Sequence, residues 1–110
     1  MEKPNTVVIS IGRNVGKTDT LSLGDWAAFK SHLRATAFRY GTPVFAGQGT
    51  GVYEGREEES YTLILTDLRP DVWPTLRADL VDLADVYDQE AIAVTHGTVQ
   101  FIPNKEEVQT

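Results

Sequence analysis

Residues 44–66, VFAGQGTGVYEGREEESYTLILT, leave the chain little freedom. They read as two long antiparallel strands joined by an acidic turn, and the remaining elements must arrange themselves around that ribbon. Its second half, Tyr61-Thr62-Leu63-Ile64-Leu65-Thr66, is β-branched and apolar enough for the middle of a sheet. Leu63 and Leu65 then share one face, and Thr62, Ile64 and Thr66 the other. In the first half, Gly47, Gly49 and Gly51 have the parity of Phe45 and Tyr53, so one face lacks three side chains between two aromatic rings. A glycine run of this kind marks a bulge or bend, or lets a helix or a ligand come close. A bulge or helix packing is the first expectation here, and a ligand-binding surface the second.

The flanking sequence supplies partners for the ribbon. Val7, Ile9 and Ile11 alternate in a short strand that stops at Gly12. The loop Gly12-Arg13-Asn14-Val15-Gly16-Lys17-Thr18 has the look of a phosphate loop, but three residues rather than four separate its glycines and no helix starts directly after Thr18. Arg13 and Lys17 are read instead as exposed cations able to hold an anion. Ser22 and Asp25 have capping-box spacing and predict a helix from about Leu23 to Tyr40, with Trp26, Phe29, Leu33 and Ala37 as its buried stripe. His32 has no second ligand at metal-binding spacing and is read as a surface or boundary residue. A second helix is predicted over about Val72 to Asp88, burying Trp73, Leu76, Leu80, Leu83 and Tyr87. Asp79, Asp82, Asp85 and Asp88 drift by about 60° per step and cover a broad solvated face rather than a line. At the C-terminal end, His96-Gly97 as a two-residue turn pairs Val94 with Val99 and Ile92 with Phe101, which predicts a final hairpin.

The order strand, helix, strand, strand, helix, strand predicts an α+β ferredoxin-like sandwich, βαββαβ plus a C-terminal hairpin strand. Its one antiparallel sheet carries both helices on one face. Residues 1–110 form a single domain in this reading, with 1–5 and 104–110 as frayed tails. The topology brings the end of the first strand, the acidic turn and the approach to the fourth strand to one edge. Arg13, Asn14, Lys17, Arg56, Glu58, Glu59, Gln89 and Glu90 are therefore the candidate ligand-binding residues, either as an ion-pair network or as a polar site. The sheet face away from the helices carries Val8, Ser10, Thr62, Ile64, Ala93, Thr95, Gln100 and Ile102, small mixed side chains that a second copy could cover.

Composition narrows the function. Without cysteine there is no disulfide or thiol chemistry and no cysteine-based zinc site. A formal charge of −6 disfavours unspecific binding to nucleic acid. The N-terminal residues lack the apolar core of a signal peptide and no apolar run reaches membrane-spanning length, so a cytoplasmic protein is expected, in the host cytoplasm if phage-encoded.

Leu23-x2-Trp26-x2-Phe29, the run Gly49-x-Gly51-x-Tyr53-x-Gly55 followed by Glu58-Glu59-Ser60, and Tyr87-x-Gln89-Glu90-x-Ile92-x-Val94 resemble a family of small bacterial and bacteriophage domains of unknown function. The resemblance spans about Val7 to Val94 and implies no activity, cofactor or site residue. This chain departs from the family in lacking its frequent secretion signal. The leading expectation is a non-enzymatic binding protein, phage-encoded, with an accessory or counter-defence role. It homo-oligomerises and holds a small polar ligand or a host protein, with no cofactor, metal or catalytic residue. One alternative is a small enzyme using Glu58, Glu59 or Glu90 as general base beside Arg13; another is an acidic mimic of DNA.

Overall fold

The computed structural model describes residues 5–98 and 100–103. Eight elements follow in order: β1 (Thr6–Gly12), β2 (Asn14–Val15), β3 (Asp19–Thr20), α1 (Leu23–Ala37), β4 (Thr42–Tyr53), β5 (Arg56–Thr66), α2 (Trp73–Val86) and β6 (Ala93–Gly97). The main sheet has the order β4-β5-β1-β6, and every neighbouring pair is antiparallel. β1 therefore lies between β5 and β6, which is the ferredoxin-like arrangement the element order predicts. The loop after β1 adds a small hairpin of β2 and β3, turning at Gly16, whose φ is +62°.

The core forms where the two periodicities meet. Val7, Ile9 and Ile11 of β1 and Tyr61, Leu63 and Leu65 of β5 have one parity, and all are buried with Trp26, Phe29, Leu33 and Ala37 of α1 and Leu76, Leu80 and Leu83 of α2. Phe29 stacks on Tyr87 at 4.5 Å between ring centroids, which joins the two helices. The Ser22 hydroxyl accepts the Asp25 amide hydrogen bond at 3.0 Å and starts α1 as the capping box requires. α2 has no side-chain cap and relies on Pro74 in its first turn, where the fixed φ suits a helix and the missing N–H is not needed.

Four expectations are corrected. Both helices stop short, at Ala37 and Val86. Beyond Ala37 the Tyr40 hydroxyl turns to donate to Asp79, and Gly41 passes so near β5 that a Cβ there would lie 2.8 Å from the Thr66 carbonyl oxygen. That bond, with Arg39 at 3.9 Å, also takes Asp79 out of the solvated row of aspartates. The glycine run of β4 is neither bulged nor packed on a helix: Gly47, Gly49 and Gly51 pair regularly with Thr62, Ser60 and Glu58, and the register shift falls at Val44.

The fourth correction concerns the chain end. His96 and Gly97 are no turn; they pair with Val7 and Thr6, and Asn5 donates a further backbone bond to the Gly97 carbonyl at 3.1 Å. The ladder to β1 thus uses the backbone groups that a turn at His96-Gly97 would need. No strand follows β6 among the described residues; Gln100, Phe101 and Ile102 are exposed, and Val99, expected opposite Val94, lies outside them.

Candidate functional site: a cleft on the open sheet face

The parity that buries Leu63 and Leu65 sends Glu58, Ser60, Thr62 and Ile64 to the opposite face of β5, beside Ser10 and Gly12 of β1 and the glycines of β4. A cleft of about 580 Å³ opens there. Gly47, Gly49, Gly51, Ser60 and Thr62 line it, with Phe45 and Tyr53 at the β4 positions on either side of the glycines. Asn14 and Gly16 of the small hairpin and Gln89 to Ala91 of the α2–β6 connection also line it.

The glycines do different things. The Phe45 ring folds over Gly47, where a Cβ would meet it at 2.7 Å, and the Ser60 hydroxyl fills the space a side chain at Gly51 would take. Nothing lies within 4 Å of a Cβ at Gly49, so this position contributes the open volume.

Glu58 is the anchored carboxylate. Its Oε2 accepts the backbone N–H of Asn14 at 2.9 Å, and the missing side chain of Gly12 leaves room for the carboxyl group. Asn14 ties the site together: its side-chain amide donates to the Glu57 carbonyl at 3.4 Å, and its own carbonyl accepts from Gln89 Nε2 at 3.3 Å. Ser10 and Thr62 share a hydroxyl hydrogen bond of 2.8 Å across the cleft floor. Arg56 donates to the carbonyls of Gly16, at 2.7 Å, and of Lys17, which fastens the small hairpin to the start of β5.

Of the sequence-predicted ligand residues, Asn14, Arg56, Glu58, Gln89 and Glu90 line this cleft, whereas Arg13, Lys17 and Glu59 do not. Arg13 pairs with Glu59 at 2.9 Å and donates to the Leu21 carbonyl at 2.7 Å, bracing the β1–α1 loop. Glu59 has the parity of Tyr61 and so points to the helix side. Of the ion-pair network expected as one reading of this edge, the pair Arg13–Glu59 is present among the described residues. The candidate interface residues Val8, Ser10, Thr62, Ile64, Ala93 and Thr95 share the open face with the cleft, while Gln100 and Ile102 lie past the last strand. Gly49 and Tyr53 belong to the glycine face for which a ligand surface is only the second expectation, and Gly12 and Ser60 are not among the candidates; the signal that joins all four to the site is their common parity with Glu58 once the register is known. Among the described residues no group of three His, Asp or Glu is placed to hold a metal ion.

The perturbed phenols lie on the helix side. The hydrogen bond to Asp79, with burial and the Asp79 charge behind it, holds the Tyr40 hydroxyl above its ordinary value. Burial, then the charge of Asp25, raises Tyr87, whose hydroxyl meets His32 Nδ1.

No protein-family model matches the sequence, and no curated protein matches it. Among solved structures the chain is similar to a phage SAM lyase in its apo state, with a TM-score of 0.53 and 22% identity over 92% of this chain and 90% of that one. A phage SAM lyase in complex with S-methyl-5'-thioadenosine aligns with a TM-score of 0.47 and 22% identity over 92% and 91% of the two chains. No helix is long and apolar enough to cross a membrane among the described residues. The likeness to the apo enzyme is one of fold, and it counts against the expectation of a non-enzymatic binding protein and for the enzyme alternative.

Proposed function

We propose that the chain is a small phage-encoded lyase that cleaves the sulfonium of S-adenosylmethionine in the open-face cleft, with Glu58 as the working carboxylate. The observation that carries this reading is the Glu58 carboxylate, held by the Asn14 amide inside a cleft of nucleoside size, on a fold shared with a phage SAM lyase. Electrostatics agree with a cationic substrate. Glu58 and Glu90 line the cleft, and the one guanidinium there, Arg56, spends donors on two carbonyls. Phe45 and Tyr53 are 53% and 42% exposed, and they offer ring faces for a purine, while the Ser10 and Thr62 hydroxyls can bond a ribose.

Cleavage of the carbon–sulfur bond sends its electron pair to sulfur, which leaves as a neutral thioether. The carbon left behind must be satisfied from within the substrate, by an adjacent C–H bond or by the substrate's own carboxylate, because a lyase adds no water. Glu58 accepts the proton in the first case and stabilises positive charge at the reacting centre in either. Arg13 acts at a distance in this arrangement, through the loop it braces. Where a proton is removed, the base is therefore Glu58 rather than Glu59.

Incubation of the purified protein with S-adenosylmethionine, followed by mass spectrometry of the products, tests the proposal. The expected result is release of the thioether nucleoside by the wild type, lowered about 100-fold or more in Glu58→Gln. Absence of both turnover and calorimetric binding by the wild type overturns it.

The same face supports a homo-oligomer. Phe45, Tyr53, Ala93 and Thr95 stand exposed with no helix over them, and a second copy would bury them and close the cleft. Native mass spectrometry at low protein concentration is expected to give a multiple of the chain mass. A host-cytoplasmic location follows from the substrate this reading assigns.

A further inference from the structure

We infer that Gly12 is a positioning residue: the side chain it lacks is what allows the Glu58 carboxylate to sit against the Asn14 amide. This inference rests on the reading of the cleft as a catalytic site. Gly12 closes β1 and pairs with Ser60, so Glu58, two residues earlier on β5, projects from the same face beside it. A Cβ built at Gly12 would fall on the carboxyl carbon and both carboxyl oxygens of Glu58. The group that must give way is the far end of a flexible side chain, not backbone. Gly12 is also absent from the positive-φ glycines, which are Gly16 and Gly55, so alanine meets no backbone strain.

The consequence is selective. An alanine at Gly12 leaves the strand pairing in place and drives the carboxylate away from the one amide that fixes it. Gly49, on the same face, shows the contrast: no group occupies the space beside it, so no protein group depends on its being glycine. Gly12 is thus tied to one carboxylate, and its effect on chemistry passes through Glu58.

The test uses the full chain with Gly12→Ala, Glu58→Asp and the pair combined. Gly12→Ala is expected to keep the melting temperature and the strand content while lowering kcat about tenfold or more, with KM changed less than kcat. Aspartate withdraws the carboxylate by one methylene, so in the Gly12→Ala background Glu58→Asp should cost much less than it does alone. Independent, multiplying losses would overturn the inference.

A second readout needs no turnover. The Asn14 backbone amide resonance should move in Glu58→Gln, where the charged acceptor is gone, and Gly12→Ala should move it in the same direction. Loss of wild-type activity towards S-adenosylmethionine removes the functional reading but leaves this measurement standing. An Asn14 resonance unchanged in Gly12→Ala, or unmoved in Glu58→Gln, overturns the positioning role whatever the substrate.

Discussion

β5 serves two regions of the molecule with alternate residues. Tyr61, Leu63 and Leu65 are buried under the helices, whereas Glu58, Ser60, Thr62 and Ile64 face a sheet surface that no helix covers. On the first side every apolar group is closed in by Phe29, Leu33 and the α2 stripe, and the gain is stability. The second side keeps a carboxylate, two hydroxyls and an empty space. If groups on this side serve a ligand as proposed, substitutions at neighbouring positions should separate into losses of activity and losses of stability.

The largest expected effect tests the open face. Glu58→Gln should reduce turnover about 10²- to 10⁴-fold while stability stays within about 0.5 kcal/mol, because the amide still fills the same space. A variant that unfolds instead would show that the carboxylate holds β1, β2 and β5 together, and the division between the faces would fail. On the buried face, Leu63→Ala should cost about 2–5 kcal/mol in chemical denaturation, since Leu63 is fully buried and its loss leaves a cavity. Thr62→Ala, one residue away, removes the 2.8 Å bond to Ser10 and should cost only about 1 kcal/mol. Equal losses at 62 and 63 would contradict the comparison.

A fourth substitution sharpens it within the open face. Gly49→Val adds a Cβ with nothing within 4 Å of it, in an extended strand that valine favours. Stability should rise by a few tenths of a kcal/mol. Affinity for S-adenosylmethionine, measured by calorimetry, should fall about tenfold or more as the cleft fills. Unchanged affinity would place the ligand elsewhere.

How much of this could be read in advance depends on the range of the deciding contact. Trp26, Phe29, Leu33 and Ala37 announce their helix because a three-and-four spacing needs no knowledge of distant residues, and Leu63 and Leu65 announce their strand in the same way. The strand order followed from the element order and the handedness of crossovers. His96-Gly97 was misread because its chemistry suits a turn, while its actual partners, Val7 and Thr6, lie about ninety residues away in the sequence. The glycine face was visible as a row, but its direction was fixed only by Gly49 pairing with Ser60 rather than Tyr61. A shift of one residue in that register would have turned the row under the helices. Edge residues suffer the same ambiguity. Arg13 and Asn14, or Glu58 and Glu59, are neighbours of similar polarity, yet alternation sends one of each pair to the cleft and the other to the loop brace.

The smallest effect belongs to the helix side and to alkaline pH. The Tyr40 hydroxyl donates a hydrogen bond to Asp79, so the phenol holds its proton more firmly in the folded chain than in the unfolded one. A raised folded-state value means that at high pH the native state binds more protons than the unfolded state, and stability declines as pH rises. The contribution of this hydrogen bond is complete below the ordinary phenol value of 10.0 and is lost as pH climbs through the higher folded value. Tyr40→Phe removes the proton and the bond together. The variant should therefore be slightly less stable than the wild type at about pH 8, and the gap should close towards about pH 11. Denaturation curves of both proteins at the two pH values measure it. The absence of a gap at about pH 8 would show that Tyr40 supports α1 and α2 by packing alone, and the helix side of the comparison would then rest wholly on apolar burial.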